Sequence, residues 1–184
     1  MTFMLISGRT NTGKTNVCNE LHDMIATDPS FTVHNKQIPY APDLFAHYEK
    51  GGKHIVLNSW SDCDECMLEF CQYLDSLMKQ KVRPDIIITT IRETNLKLNQ
   101  MSHMIALLDA IGKGTKNLEN YFNQNIAKKS SFAPTPLSHH AFTLHLKKQA
   151  LKGSQAAHNK ILKQYWVNSA SITEQMLNFA IANL

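Results

Sequence analysis

Apolar residues open the chain as an unbroken run, Thr2–Ser7, which stops at Gly8. Such a run predicts a buried strand feeding a tight turn. Val17, Leu21, Met24 and Ile25 then recur at helical spacing until Asp28-Pro29 ends the pattern, so a helix follows the turn. The stretch 31–38 alternates loosely, is rich in β-branched residues and closes at Pro39, which predicts a second strand. Residues 43–50 are expected to form a short helix capped by Gly51-Gly52. His54–Asn58 reads as another buried strand. Met67, Phe70, Cys71, Leu74, Leu77 and Met78 mark one face of a strong helix, and 85–91, introduced by Pro84, is the clearest strand.

Beyond Asn95 the spacing of Leu98, Met101, Ile105 and Leu108 is helical as far as Gly112-Lys113-Gly114. Ser130–Ser138, with two prolines, is a loop. In 139–151 the alternation of Phe142, Leu144 and Leu146 competes with the helical spacing of Ala141, Leu144, Lys148 and Leu151, and helix is preferred. The end, 155–184, is expected to be helical with a break near 168–171. Strands alternating with helices predict right-handed crossovers and an α/β fold, a three-layer parallel sheet with helices on both faces and a helical C-terminal part.

A length of 184 residues suits one domain, 1–184, and leaves no need for a disulfide or metal to hold the core. No apolar run approaches the roughly 20 residues that cross a bilayer, and Met1 leads straight into the first strand without a basic leader, so a soluble, cytoplasmic protein is expected. The net charge of +4 is unevenly spread. Up to Ile111 there are ten Lys or Arg against thirteen Asp or Glu, whereas 112–164 carries nine Lys against Glu119 alone. The basic stretch implies an anionic partner for the C-terminal half, and 112–154 is a candidate lid or insertion. His139 and His140 have no Cys or carboxylate beside them and are taken as loop residues.

Cys63-x-x-Cys66 raises a zinc reading and a thioredoxin-like redox reading. A second ligand pair is missing for the first and the strand context is wrong for the second, so reduced thiols on a helix are expected.

The chemistry lies in Gly8-Arg9-Thr10-Asn11-Thr12-Gly13-Lys14-Thr15, followed by Asn16. Gly8 allows a sharp exit from the strand, and Gly13 lets backbone approach an anion closely. Amides from about Asn11 to Thr15 would point inward, Lys14 would meet the β and γ phosphates, and the Thr15 hydroxyl would ligate Mg²⁺. A chance match in a chain of this length is on the order of one in a hundred. In these residues the chain resembles the P-loop NTPase superfamily, matching its Walker A pattern in full, with a looser likeness over 1–92. The resemblance implies ATP (or GTP) and Mg²⁺ as cofactors, and chemistry at the γ-phosphate.

The acidic strand end of that family is replaced here by Asn58. Asp62, four residues on, is the candidate for the metal's surroundings and for the acceptor hydroxyl, although with Glu65 three residues later it equally suits a helix cap. Arg92, leaving the clearest strand, is a candidate catalytic cation beside Lys14 and Asp62, and Arg9 an extra contact. Trp60 and Trp166 could stack a base or pack. The expected function is phosphotransfer from ATP to an unidentified small acceptor, as in small-molecule or nucleotide kinases, which the chain resembles. The alternative is a partner-coupled NTPase or switch whose lysine-rich half docks on nucleic acid or protein. No arginine lies beyond Arg92, unlike an arginine-rich kinase lid, and neither Asn11 nor Asn99 begins a guanine-reading Asn-Lys-x-Asp.

Overall fold

The first apolar run becomes strand β1 (Thr2–Gly8), whose residues Phe3 to Ile6 are at most 8% exposed. This computed structural model describes residues 1–9, 12–92, 98–129, 140–146 and 173–182. Helix α1 (Lys14–Thr27) follows, then strands β2 (Thr32–Tyr40), β3 (Asp43–Lys50) and β4 (Lys53–Asn58). Helix α2 (Asp64–Lys79), strand β5 (Ile86–Arg92), helix α3 (Leu98–Gly112) and the short α4 (Leu118–Tyr121) come next. A π-helical turn, Phe122–Ile126, continues α4, and strand β6 (His140–Leu146) and a helix over 173–182, α5, complete the described chain.

The class is α/β, and the described strands form one six-stranded sheet in the order β2-β3-β4-β5-β1-β6. β4, β5, β1 and β6 run parallel, whereas β2 and β3 are antiparallel, so the expectation of a wholly parallel sheet is corrected. The difference starts at 43–50, which is a strand and not a helix. β3 lies between two partners and Leu44 to Tyr48 are all buried, so both faces need apolar side chains and the two-residue alternation disappears. Gly51 and Gly52, with φ of 59° and 76°, make the two-residue turn between the paired Lys50 and Lys53. Two consecutive positive φ values are what a twisted hairpin requires. β2 runs on through Pro39, which an edge strand tolerates because one side of its backbone has no strand partner among the described residues.

Alternate residues of β1 enter two cores. Met4 and Ile6 pack with Val17, Leu21 and Ile25 of α1 and with Met176 and Ala180 of α5. Phe3 and Leu5 pack with Phe70 and Leu74 of α2, Leu107 of α3 and Phe122. The face predicted for α2 is the face it buries, and each fully buried side chain of that size stabilises by roughly 1.5–3 kcal/mol. The Asp75 carboxylate accepts hydrogen bonds from the amides of Leu118 (2.9 Å) and Glu119 (3.0 Å), which fixes the start of α4 to α2.

Of the stretch 112–154, the residues up to 129 follow α3 and place Leu118, Phe122 and Ile126 in the core, and 140–146 is strand β6. The helix preferred for 139–151 is corrected over His140–Leu146, where the alternation won because the segment pairs with β1. The expected loop at 130–138 and the helix over 155–172 lie outside the described residues.

Candidate functional site

β1 is the switch point of the sheet: it is hydrogen-bonded to β5 on one side and β6 on the other, and the chain crosses it between those two strands. Ligand crevices of open α/β sheets form at the carboxyl ends of strands at such a point. Gly8, Arg92 and Leu146 sit side by side there, since Gly8 is in register with both neighbours. A Cβ on Gly8 would meet the Thr12 hydroxyl and stand 2.9 Å from the Leu146 carbonyl oxygen, so this position excludes a side chain. The loop turns back on itself through the Thr12 hydroxyl, which donates to the Arg9 carbonyl (2.9 Å). Gly13, at φ 90°, precedes α1, and no side chain caps that helix. The first amides of α1 are therefore left for another acceptor.

Lys14 is buried, only 7% exposed, with its ammonium donating to the Arg9 carbonyl at 3.2 Å and no ion pair to any described carboxylate. Burial holds its pKa below the usual lysine range, the Asp62 carboxylate opposes that shift, and the Arg92 guanidinium adds to it. Arg92 Nη1 lies 3.6 Å from Asp62 Oδ2. The other carboxylate oxygen, Asp62 Oδ1, is buried with no hydrogen-bond partner among the described residues. A buried unpartnered carboxylate oxygen facing a basic cluster is costly unless something else arrives to donate to it.

Asp43 supplies what the sequence reading missed. Its carboxylate accepts from the Thr15 hydroxyl at 2.8 Å and also bonds Ser59. Burial raises its pKa above the usual carboxyl range, the two hydroxyl bonds pull it back, and Asp62 pushes it further up. Because β3 is antiparallel to β4, with Phe45 opposite Asn58, the first residue of β3 arrives at the same edge as the last residue of β4. The Asp that is absent at the end of β4 is thus matched by one from the neighbouring strand. Only a strand assignment for 43–50 would have revealed it from sequence.

Asn58 itself is fully buried and turned inward, donating to Thr89 Oγ1 (3.0 Å) and accepting from the Trp60 amide (2.8 Å). It holds the loop after β4 in place rather than facing the crevice. The Thr90 hydroxyl donates to the Ser59 carbonyl (3.0 Å) and is bonded to the Ser61 hydroxyl, which pins 59–61 to the end of β5 and delivers Asp62 beside Arg92. Trp60 stacks on Tyr40 at 5.6 Å between ring centroids, and its indole donates to Glu69.

Gly8, Arg9, Thr12, Gly13, Lys14, Thr15, Asp62 and Arg92 therefore gather at one edge, with the Arg9 side chain exposed and Asn16 half-buried in the first turn of α1. Thr10, Asn11 and Trp166 lie outside the described residues. Asp62 is not the helix cap: that position belongs to Cys63, whose sulfur accepts from the Cys66 amide (3.1 Å). Cys63 and Cys66 are disulfide-bonded, which corrects the expectation of reduced thiols.

Among the described residues no three His, Cys, Asp or Glu side chains are arranged to hold a metal. Mg²⁺ does not need such a cage, because it keeps waters and takes one or two protein oxygens beside a substrate's phosphates. The Thr15 hydroxyl and Asp43 carboxylate are hard oxygen donors of the right kind, and the left-handed Gly13 and side-chain-free Gly8 fit a phosphate group. A separate cavity of about 490 Å³ between α2 and the start of α4, lined by Asp75, Lys79, Arg83 and Lys116, shares no residue with this edge. No helix of the described residues is long and apolar enough to cross a membrane. No protein-family model, curated protein or solved structure matches this chain.

Proposed function

We propose that this edge binds the phosphates of a nucleoside triphosphate with Mg²⁺, in the manner of the P-loop NTPases that Gly8–Thr15 resembles, and that the protein transfers the γ-phosphoryl group to a small acceptor. The observation that carries the reading is the convergence of a buried Lys14, with no carboxylate paired to it among the described residues, on the Thr15–Asp43 and Asp62–Arg92 pairs at the switch point.

In this reading Lys14 and the first amides of α1 would hold the phosphate oxygens, and Thr15 and Asp43 would hold the metal. The ion would neutralise charge on the bridging oxygens. Arg92 offsets the charge that builds on the transferring group, and Asp62 Oδ1, which has no hydrogen-bond partner among the described residues, accepts the proton of the attacking hydroxyl. Burial of the cluster strengthens each of these interactions relative to water. ATP is the nucleotide we assign, and a three-layer arrangement around the parallel part of the sheet is the corresponding fold.

The second reading is an NTPase coupled to an anionic partner, with water in place of the acceptor. It is favoured by the nine lysines against one glutamate in 112–164.

Binding of Mg·ATP by calorimetry, together with ADP release alone and with pooled nucleosides, nucleotides, sugars and alcohols, tests both. Lys14→Ala should weaken ATP binding by about a hundredfold or more, on the scale of a charge-assisted contact to a multiply charged ligand, with little change in Tm. Unaltered affinity in that variant would remove the phosphate site. Turnover that needs an acceptor supports transfer, and turnover stimulated by oligonucleotide in a salt-sensitive way supports the coupled NTPase.

A further inference from the structure

The loop that delivers Asp62 ends at a second chemical group. Cys63, next in sequence, is the N-cap of α2, and Cys66 lies in the first turn. The two sulfurs are joined, with their Cα atoms 5.1 Å apart. Cys63 is half-buried and Cys66 only 1% exposed, so a reagent in solution reaches the Cys63 sulfur first. The other two cysteines are different in kind. Cys18 and Cys71 are fully buried on α1 and α2, and burial pushes both thiols far above the ordinary range, which leaves them inert.

We infer that Cys63 and Cys66 are a reversible thiol–disulfide exchange site, opened by dithiol reductants, and that its state is transmitted to the Asp62–Arg92 pair. Four observations support this. The spacing closes a ring of four residues, so the bond staples one turn and links no distant parts of the fold; neither packed core includes Cys63 or Cys66. It stands at a helix N-terminus, where the Cys66 amide already donates to the Cys63 sulfur and would serve an anionic sulfur equally. It is accessible at one end. Finally, it adjoins a carboxylate held from the other side by the contacts of 59–61 to β5.

Exchange proceeds in two balanced steps. A thiolate of the reductant attacks Cys63 Sγ, forming a mixed disulfide and releasing Cys66 as a thiolate. The second thiol of the reductant then attacks its own sulfur in that mixed disulfide, releasing Cys63, and the reductant leaves as its cyclic disulfide. Both protein sulfurs take up protons, so two electrons and two protons pass from the dithiol to the protein. Once open, the first turn of α2 loses its covalent tie to residue 63, and Asp62 keeps only the contacts of 59–61 to β5 and its pair with Arg92 to fix its position.

The full-length protein, equilibrated natively over a series of reduced-to-oxidised dithiothreitol ratios, is quenched in acid, unfolded and labelled with N-ethylmaleimide. Mass spectrometry should show two labels passing to four in a single step, while Cys63→Ser stays at three throughout. Serine keeps an oxygen at the N-cap, so this variant retains the helix start. Four labels at every ratio would show ordinary thiols, and two labels at every ratio a fixed bond; either overturns the exchange site.

The transmission to Asp62 rests on the proposed nucleotide site and is read separately. Mg·ATP affinity should differ by about fivefold or more between the oxidised and reduced protein, and not in Cys63→Ser. Equal affinities in the wild type would overturn the coupling. If ATP binds neither form while the labels still pass from two to four, the nucleotide reading has failed and the exchange site has not.

Discussion

Two clusters of ionisable groups lie at opposite ends of the same antiparallel strand, and they are handled in opposite ways. At the end of β3 that begins with Asp43, a lysine, an arginine and two carboxylates are held partly or wholly out of water, and one carboxylate oxygen, Asp62 Oδ1, has no hydrogen-bond partner among the described residues. At its other end His34, His47 and His54 crowd together, with the His34 and His47 rings stacked 4.7 Å apart and His47 Nε2 sharing a hydrogen with His54 Nδ1 at 3.0 Å. Burial and the two neighbouring imidazoles hold the His47 pKa down to about 4. His47 is thereby held neutral and hydrogen-bonded within the fold. In the first cluster, burial disfavours the charged forms of Lys14 and Asp43, and the nucleotide proposed above would supply the missing partners.

Alanine at glycine positions gives the sharpest contrast between the two ends. Gly8→Ala drives a methyl group into the Thr12 hydroxyl and the Leu146 carbonyl, so Mg·ATP affinity should fall by more than about tenfold and Tm by several degrees. Gly52→Ala has open space but a φ of 76°, so it should cost about 1–2 kcal/mol of strain and leave nucleotide affinity unchanged. Equal effects on affinity would erase the distinction.

A pH series separates the ends next. The folded pKa of His47 lies below its unfolded value of 6.5, so its contribution to stability is fully present above that pH and is lost as pH falls towards about 4. Tm should drop by about 5 °C or more between pH 7 and pH 4.5, and His47→Gln should flatten part of that slope. His34 and His54 face the same ring, and Glu49 is the nearby carboxylate that acts on its charge. A slope unchanged in the variant would place the titration elsewhere.

The smallest effect is the most diagnostic. Asp43 is raised by burial, so its charged form is a burden on the folded state at neutral pH, and the contribution is favourable only below the unfolded carboxyl value. Asp43→Asn should raise Tm by about 1–2 °C at pH 7 while weakening the Mg²⁺ dependence of ATP binding. A lower Tm with unchanged Mg²⁺ dependence would make Asp43 a structural residue.

How far the sequence revealed these clusters depended on whether local pattern and tertiary contact agreed. β1, the glycine turn and α1 were legible because strand, turn and amphipathic helix are all local signals. The same is true of α2 and β5. Residues 43–50 were not, since a strand covered on both faces has a consecutive apolar pattern, and Gly51-Gly52 serves a helix cap and a hairpin equally well. Asp43 was hidden by that error, its bond to Thr15 spanning 28 positions of chain. Asn58 was recognised as a departure, but its inward bonds to Thr89 and the Trp60 amide could not be read from composition. The Cys63-Cys66 spacing was visible, yet the bond depends on both residues lying within one turn of a helix start.

The strand order also sets a schedule for making the protein. Of these six strands β1 emerges first during synthesis, but its partners are Ile86–Arg92 on one side and His140–Leu146 on the other. The hairpins of β2, β3 and β4 close over short loops and can form while the rest of the chain is still being made. β1 must stay apolar and half-paired until more than a hundred further residues have been added. Gly8 meets Leu146 only when β6 docks, so a nascent chain shortened before residue 140 would lack one wall around the turn that follows β1.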